Sequence, residues 1–291
     1  MLSAQIVDVI VSGILQGSVY ALIAAGLTLV FGVLHLLNIA HGDIMILGSF
    51  TSFWLLQIAG IDPIVSIPLA FLSTFVIGAA IYFSALKPVL RAPLLNQIVL
   101  TFGLAVVLEG IMVALWGGKW RMILTAYSNA GLDLGLISVS YVRVLSLVVS
   151  VVIFILLYIL LLKTDVGRRI RAVAQNRVAA TLLGTNVDFV YLLSFCLGSG
   201  LAGTAGVLVG LMYPFNPYSG LEYILLAFIV IVLGGMGSVT GAIIGGLVIG
   251  IIESVSASLS TQSLALVVLY VVFLIILSFR PTGLMGIRAE E

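Results

Sequence analysis

Three polar side chains crowd one short stretch of an otherwise apolar sequence. They are Asn38, His41 and Asp43, just ahead of an apolar run that begins at Ile44. A carboxamide, an imidazole and a carboxylate together donate, accept and carry charge. That is the chemistry needed to line a polar path or its gate. Two plainer readings stand beside it: His41 as an interfacial residue, and Asp43 as a cap of the following helix. Gly32 and Gly42 flank the cluster and let the backbone relax there. In the second half, Gly234, Gly235 and Gly237 form a matching interruption. Paired glycine-interrupted apolar segments point to a transport site. Asn38, His41, Asp43, Gly234, Gly235 and Gly237 are therefore candidate path or gate residues.

Other reactive types offer less. Glu109 and Glu253 fall within apolar runs, where an ionisable side chain is a functional hypothesis. Both lie toward the ends of their runs, so an interfacial position is as open. Glu222 follows Pro217 and Gly220 and reads as a loop or helix-start residue, and His35 as interfacial. Gly198-Ser199-Gly200 resembles a serine nucleophile only superficially, because both histidines lie near residue 40; close packing of small residues explains it. Cys196 stands alone, so no internal disulfide or cysteine-rich metal site can form. No Gly-x-x-x-x-Gly-Lys-Ser/Thr pattern occurs, so the chain is not itself an ATPase. No catalytic residue, metal site or bound cofactor is expected.

The elements that position these residues follow from composition. Of 291 residues, 62% are hydrophobic and 8% charged, with a mean hydropathy of +1.34. A soluble domain carries about 25% charged residues. The apolar excess here must face lipid. Net charge is +1, which gives no ground for nucleic-acid binding. A spanning helix needs about 20 apolar residues, because nothing in hydrocarbon can pair an open backbone. Such runs are Ile6–Leu34, Ile44–Ile58, Ile64–Leu86, Leu94–Trp116, Val144–Leu162, Phe189–Tyr213, Tyr223–Leu233, Ala242–Ser254 and Leu264–Phe279. The first has no basic segment before it and reads as an uncleaved span. A membrane barrel would alternate apolar and polar residues, and Val144–Leu162 does not. The fold class is an all-α polytopic integral membrane protein with about eight to ten transmembrane helices, a single domain over residues 1–291.

Basic residues set the orientation, since cytoplasmic loops collect them. Lys163, Arg168, Arg169, Arg171 and Arg177 share one loop, Lys87 and Arg91 another, and Arg280 and Arg288 the tail. Counting spans puts all three on one side, with Lys119, Arg121 and Arg143 opposite. The three basic segments are thus cytoplasmic and the N-terminus outside. Trp54, Trp116 and Trp120 suit interfacial belts. Glycines within the runs, such as Gly241 and Gly245, let helix backbones approach closely.

The loop over about 163–188 has helical spacing. Thr164 or Asp165 can cap a start. Ile170, Val173, Ala174, Val178 and Leu182 fall on one face, Arg168, Arg171 and Gln175 on the other, and Gly184 is a stop. The cations lie near the helix N-terminus, where the dipole disfavours them. Lipid phosphate or a protein partner would account for them.

Val178-Ala179-Ala180-Thr181-Leu182-Leu183-Gly184 resembles the Glu-Ala-Ala-xxx-Gly element of ABC importer permeases, with Val178 in place of the glutamate. The preceding Gly167–Arg177 run is similar to that of branched-chain amino-acid permeases. So are Gly17–Val33, Asn38-Ile39-Ala40-His41-Gly42 and Leu233–Ser238 followed by Gly241-Ala242. Together the matches cover most of the chain. The resemblance implies a non-enzymatic permease subunit of an ATP-driven importer. Arg168, Arg171, Gln175, Ala179, Ala180 and Gly184 would then serve ATPase coupling. It also implies a second, related but different permease chain, two cytoplasmic ATPase subunits that bind the ATP, an extracytoplasmic solute-binding protein, and a bacterial-type inner membrane. Branched-chain amino acids are the implied substrate, with urea or short amides as alternatives. An ion-coupled secondary transporter is the rival class, but such proteins more often bury paired acids, and no deep pair is evident in the sequence.

Overall fold

The computed structural model describes residues 2–90, 92–133, 138–279 and 283–285. The basic residues Arg91, Arg280 and Arg288 lie outside them. Helix α1 (Leu2–Leu34) is followed by α2 (His41–Ala59) and α3 (Pro63–Ile81), which continues through a wide turn at Tyr82–Leu86 into the short α4 (Lys87–Val89). Then come α5 (Leu94–Trp116), a hairpin of β1 (Gly131–Asp133) and β2 (Ser138–Ser140), and α6 (Tyr141–Lys163). Helices α7 (Asp165–Gln175) and α8 (Arg177–Leu182) form the loop that precedes α9 (Val187–Met212). Helices α10 (Gly220–Gly234), α11 (Val239–Leu259) and α12 (Gln262–Phe279) complete the chain. Among the described residues, eight helices are long and apolar enough to cross a membrane, and Leu264–Phe279 is a shorter apolar one. The protein is an all-α, multi-pass membrane protein. The two strands pair antiparallel, with Leu132 opposite Val139.

Burial sorts the helices. α1 and α9 are almost wholly enclosed, whereas α5 and α6 turn most of their surface outward. Small residues explain how α1 sinks so deep. A Cβ on Gly13 would lie 2.7 Å from Ile251 Cα, and one on Gly17 would lie 2.6 Å from the Gly246 carbonyl. Backbone meets backbone there, so α1 and α11 run antiparallel in direct contact. Ser254 Oγ donates to Val9 O at 2.7 Å at the same seam. Helix α3 runs antiparallel to α9. Its Gly78 abuts Ser199, and Tyr82 Oη donates to Asp188 O at 3.1 Å.

The end remote from α7 and α8 is closed by an aromatic cluster. The Arg121 guanidinium lies 5.8, 5.1 and 5.1 Å from the rings of Phe50, Phe53 and Trp54. It also donates to Trp116 O at 2.5 Å. Cation–π contact of this kind lets a cation sit among apolar rings.

Candidate functional site

Helix α1 ends beside the α7–α8 loop, where His35 adopts a left-handed φ of 52°. His35 shares a cavity wall there with Gln175 and Asn176. The chain then turns back into the bundle without helical structure. Thr101 Oγ1 donates to Leu37 O at 3.0 Å on the way. By His41 the chain has climbed to the level of Ile23, since His41 Nε2 donates to Ile23 O at 3.2 Å. Ile23 is about 16 Å of helix from Leu34, a distance that about five extended residues cover. Residues 35–40 are therefore a re-entrant segment, tolerated at depth because protein covers it.

A second return comes from the opposite end. Helix α9 finishes at Met212, and Phe215 then exchanges backbone hydrogen bonds with Arg121, both at 2.8 Å. The chain folds back through a turn at Pro217–Ser219, and α10 starts at Gly220. The two returns meet. A Cβ on Gly42 would lie 2.7 Å from the carbonyl carbon of Gly220, and one on Gly220 would strike the Asp43 carboxylate. Asp43 thus sits in the first turn of α2 and against the start of α10, where two helix N-termini favour negative charge.

Asn38, His41 and Asp43 are all buried. Neither polar atom of the Asn38 carboxamide has a partner among the described residues, and nor does His41 Nδ1. Each unmet buried polar group costs about 1–3 kcal/mol, so this cluster is prepared to accept or donate hydrogen bonds it does not yet make. Gly235 and Gly237 both have left-handed φ, 104° and 88°. Their turn packs on the end of α1, where a Cβ on Gly32 would lie 3.2 Å from Gly237 Cα. Gly234 is pressed against Gly241. The Gly234–Gly237 interruption therefore meets Gly32, while Asn38–Asp43 meets Gly220. The six candidate path residues form two contacts, not one cluster.

The loop between α6 and α9 is helical but broken. Thr164 caps α7 by accepting from Gly167 N at 3.1 Å. Asn176 leaves the helix and caps α8 by accepting from Ala179 N at 3.0 Å. One expected helix is thus two. Gly184, at φ 80°, closes α8. Arg171 donates to Leu161 O at the C-terminal end of α6, and the exposed Arg168 pairs with Asp165. These two cations therefore have partners within the chain. Gln175 and Ala179 are exposed, whereas Ala180 is 2% exposed and faces inward. Val178 and Leu182, expected on one apolar face with the buried Ile170 and Val173, are instead exposed, and Leu182 and Leu183 project furthest, at 83% and 85%.

Residues 9–277 match the model of a family described as branched-chain amino acid transport system / permease component. The chain belongs to this family. It is 32% identical to the high-affinity branched-chain amino acid transport system permease protein LivH of Salmonella typhimurium, over 94% of each chain. It is also 32% identical to BraD of Pseudomonas aeruginosa, described in the same terms, over 95% of this chain and 94% of that one. The probable branched-chain amino acid transport permease LivH of Methanocaldococcus jannaschii is 32% identical over 83% of this chain and 78% of its own. No solved structure matches. The protein is a transport permease with several apolar membrane helices.

For this permease the second re-entrant turn, Asn216–Gly220, escaped sequence reasoning. A signal was present. Leu34 and Met212, Asn38 and Asn216, and Gly42 and Gly220 are equally spaced along the chain, so each half carries a helix end, an Asn and a Gly in the same order. The two asparagines differ in use. Asn216 accepts from Tyr218 N at 2.9 Å and from Ser219 Oγ at 3.1 Å as a cap, whereas the side chain of Asn38 stays unpaired.

Proposed function

We propose that this permease is one membrane subunit of an ATP-driven importer of branched-chain amino acids in a bacterial-type inner membrane. The observation that carries the reading is the α7–α8 loop. Its two projecting leucines stand outside the spans, on a turn held by Asn176 and Gly184. Adjacent exposed apolar side chains outside the spans are suited to a protein contact. The sequence there resembles the element that docks on a cytoplasmic ATPase. ATP would bind on two such partner subunits. A second, related but different permease chain would complete the path, and an extracytoplasmic solute-binding protein would deliver substrate. Lipid surrounds the outward faces of α5 and α6. Asn38, His41 and Asp43, and with them Gly234, Gly235 and Gly237, would border the path or its gate.

The loop is tied to the bundle. Lys87 pairs with Asp188 at 3.6 Å, next to the Tyr82–Asp188 hydrogen bond. A push passed from α8 to the start of α9, the next element in the chain, would thus reach the end of α3 as well. The test uses the assembled transporter in proteoliposomes. Leu183→Asp changes an exposed side chain only, and Gly184→Trp adds bulk to the same turn. Both should abolish substrate-stimulated ATP hydrolysis and leucine uptake while the permease reaches the membrane normally. Full coupling in both variants would remove the docking role. Uptake of urea or a short amide in place of leucine would replace the substrate.

A further inference from the structure

We infer that the end of the bundle opposite the α7–α8 loop carries a recognition site for a primary ammonium group, built around Glu253. A cavity of about 480 Å³ opens there. Its polar and aromatic wall comes from five separate elements, and Leu266 of α12 adds a sixth. Tyr20 comes from the middle of α1, Trp120 from the loop after α5, Tyr213 from the end of α9, Glu222 and Tyr223 from the first turn of α10, and Glu253 from α11.

Glu253 is 5% exposed, and its Oε2 has no hydrogen-bond partner among the described residues. A buried carboxylate oxygen left without a donor is costly and is retained where something pairs with it. Tyr20, 4% exposed, accepts a hydrogen bond from Gln16 Nε2 at 2.5 Å. Its own hydroxyl proton is therefore left to donate. Gln16 thus fixes the ring on the wall beside the acid.

The wall's chemistry is one-sided. Among its described residues are two carboxylates and four aromatic rings, and no Lys, Arg or His. Carboxylates pair with an ammonium through charge-assisted hydrogen bonds, and aromatic faces attract it further. Two carboxylates alone make a poor metal site, and the described residues contain no group of three or more His, Cys, Asp or Glu that could hold an ion. Leu226 and Leu266 add apolar surface suited to an aliphatic side chain. The only charged side chains among the wall's described residues are carboxylates, which repel another carboxylate, so an amino acid would enter ammonium first, with its carboxylate toward the mouth. The position, remote from the loop proposed to dock the ATPase, suits capture before passage. This deepens the proposed function and rests on it for the identity of the ligand.

The test separates the two. Full-length chain in nanodiscs is titrated with leucine, with leucinamide, which keeps the ammonium and lacks the carboxylate, and with 4-methylpentanoate, which keeps the carboxylate and lacks the ammonium. Leucine and leucinamide should bind and compete, and 4-methylpentanoate should not. Glu253→Gln, which preserves size, should weaken both ammonium ligands at least tenfold. Tyr20→Phe should weaken them severalfold. Equal binding of 4-methylpentanoate and leucinamide, or unchanged affinity in Glu253→Gln, would overturn the site. The comparison of ligands on the unaltered chain decides the matter even if a variant misfolds. Leucine uptake by the complete transporter is measured in parallel. Its absence would overturn the proposed substrate, whereas leucinamide binding still reads the ammonium site.

Discussion

Adding one methyl group where the two re-entrant turns meet should cost more than its size suggests. In Gly42→Ala the new Cβ would lie 2.7 Å from the Gly220 carbonyl carbon and 3.1 Å from its Cα. Carbon atoms in ordinary contact stand about 3.5–4.0 Å apart. The obstacle is backbone at the start of α10, so no side chain can swing aside. The two helix starts must separate by about 1 Å or tilt. Overpacking of this kind costs about 1–3 kcal/mol. Alanine recovers up to about 1 kcal/mol of helix propensity, and less at a first-turn position. The net loss is about 1–2 kcal/mol. One kcal/mol moves the Tm of a domain of about 150–250 residues by about 2–4 °C, so a fall of about 2–8 °C is expected. Gly110→Ala is the counterpart, since a Cβ there meets nothing within 4 Å in the middle of α5. It should leave Tm unchanged or raise it by about 1–4 °C through helix propensity alone. Thermal unfolding of both variants in one detergent, read by size exclusion after heating, makes the comparison. If Gly42→Ala melted with the unaltered protein, or Gly110→Ala lost as much, the reasoning from backbone contact at the meeting point would fail.

Other outcomes follow from the same geometry. His41→Ala removes the donor to Ile23 O, and Gly235→Leu forces a left-handed backbone on a branched side chain; both should lower uptake with membrane expression intact, and normal uptake at saturating binding protein would remove them from the path. Cysteine at Gln175 should resist an impermeant thiol reagent on intact cells, and cysteine at Lys119 should react, in a chain lacking Cys196; the reverse pattern would invert the orientation. In the loop outside the spans, burial first and then hydrogen bonds to both Asp62 oxygens at 3.0 Å push the Tyr127 phenol up to about 12. A raised folded-state value means that its contribution is whole below about pH 10 and is lost as pH rises through 12. Between those limits the unaltered protein should lose more thermal stability than Tyr127→Phe, and an ultraviolet difference titration of the pair should show one phenol ionising near 12.

The spans were legible because apolar runs carry their own signal in lipid, and each expected run lies on or across a helix. Their starts were less so. Helix α2 begins at His41 rather than Ile44, taking three polar or small residues into the interior. Packing against α1, α9 and α10, the last two distant in sequence, makes that burial possible. Helix α11 begins at Val239 because the Ser238 side chain caps it, accepting from Gly241 N at 3.0 Å. The break at Asn176 had a local cause, an asparagine able to cap the next turn, yet apolar spacing ran through it unbroken. The acidic cavity could not be read at all. Glu222 and Glu253 sit on different helices, and only the α10–α11 hairpin packed on α1 brings them to one wall with Tyr20.

The placement of the glycines bears on how the permease could change shape. Bulky side chains interlock and resist sliding, whereas backbone-to-backbone seams offer few interlocking knobs. The seams lie along α1 and α9, the two most enclosed helices: Gly13 and Gly17 against α11, Gly26 against Gly198, Gly48 against Gly203, and Gly206 against Met45. Helix α9 starts at the loop that would meet the ATPase, where the Tyr82 and Lys87 contacts hold Asp188. It is continuous over 26 residues, and it touches α1 and α2 along those seams. A rigid rod with smooth contacts carries an axial push further than a chain of interdigitated side chains would. On the proposed reading, force entering at α8 reaches the α2 start through α9, and the Gly42–Gly220 contact is the place where two independently anchored segments can part.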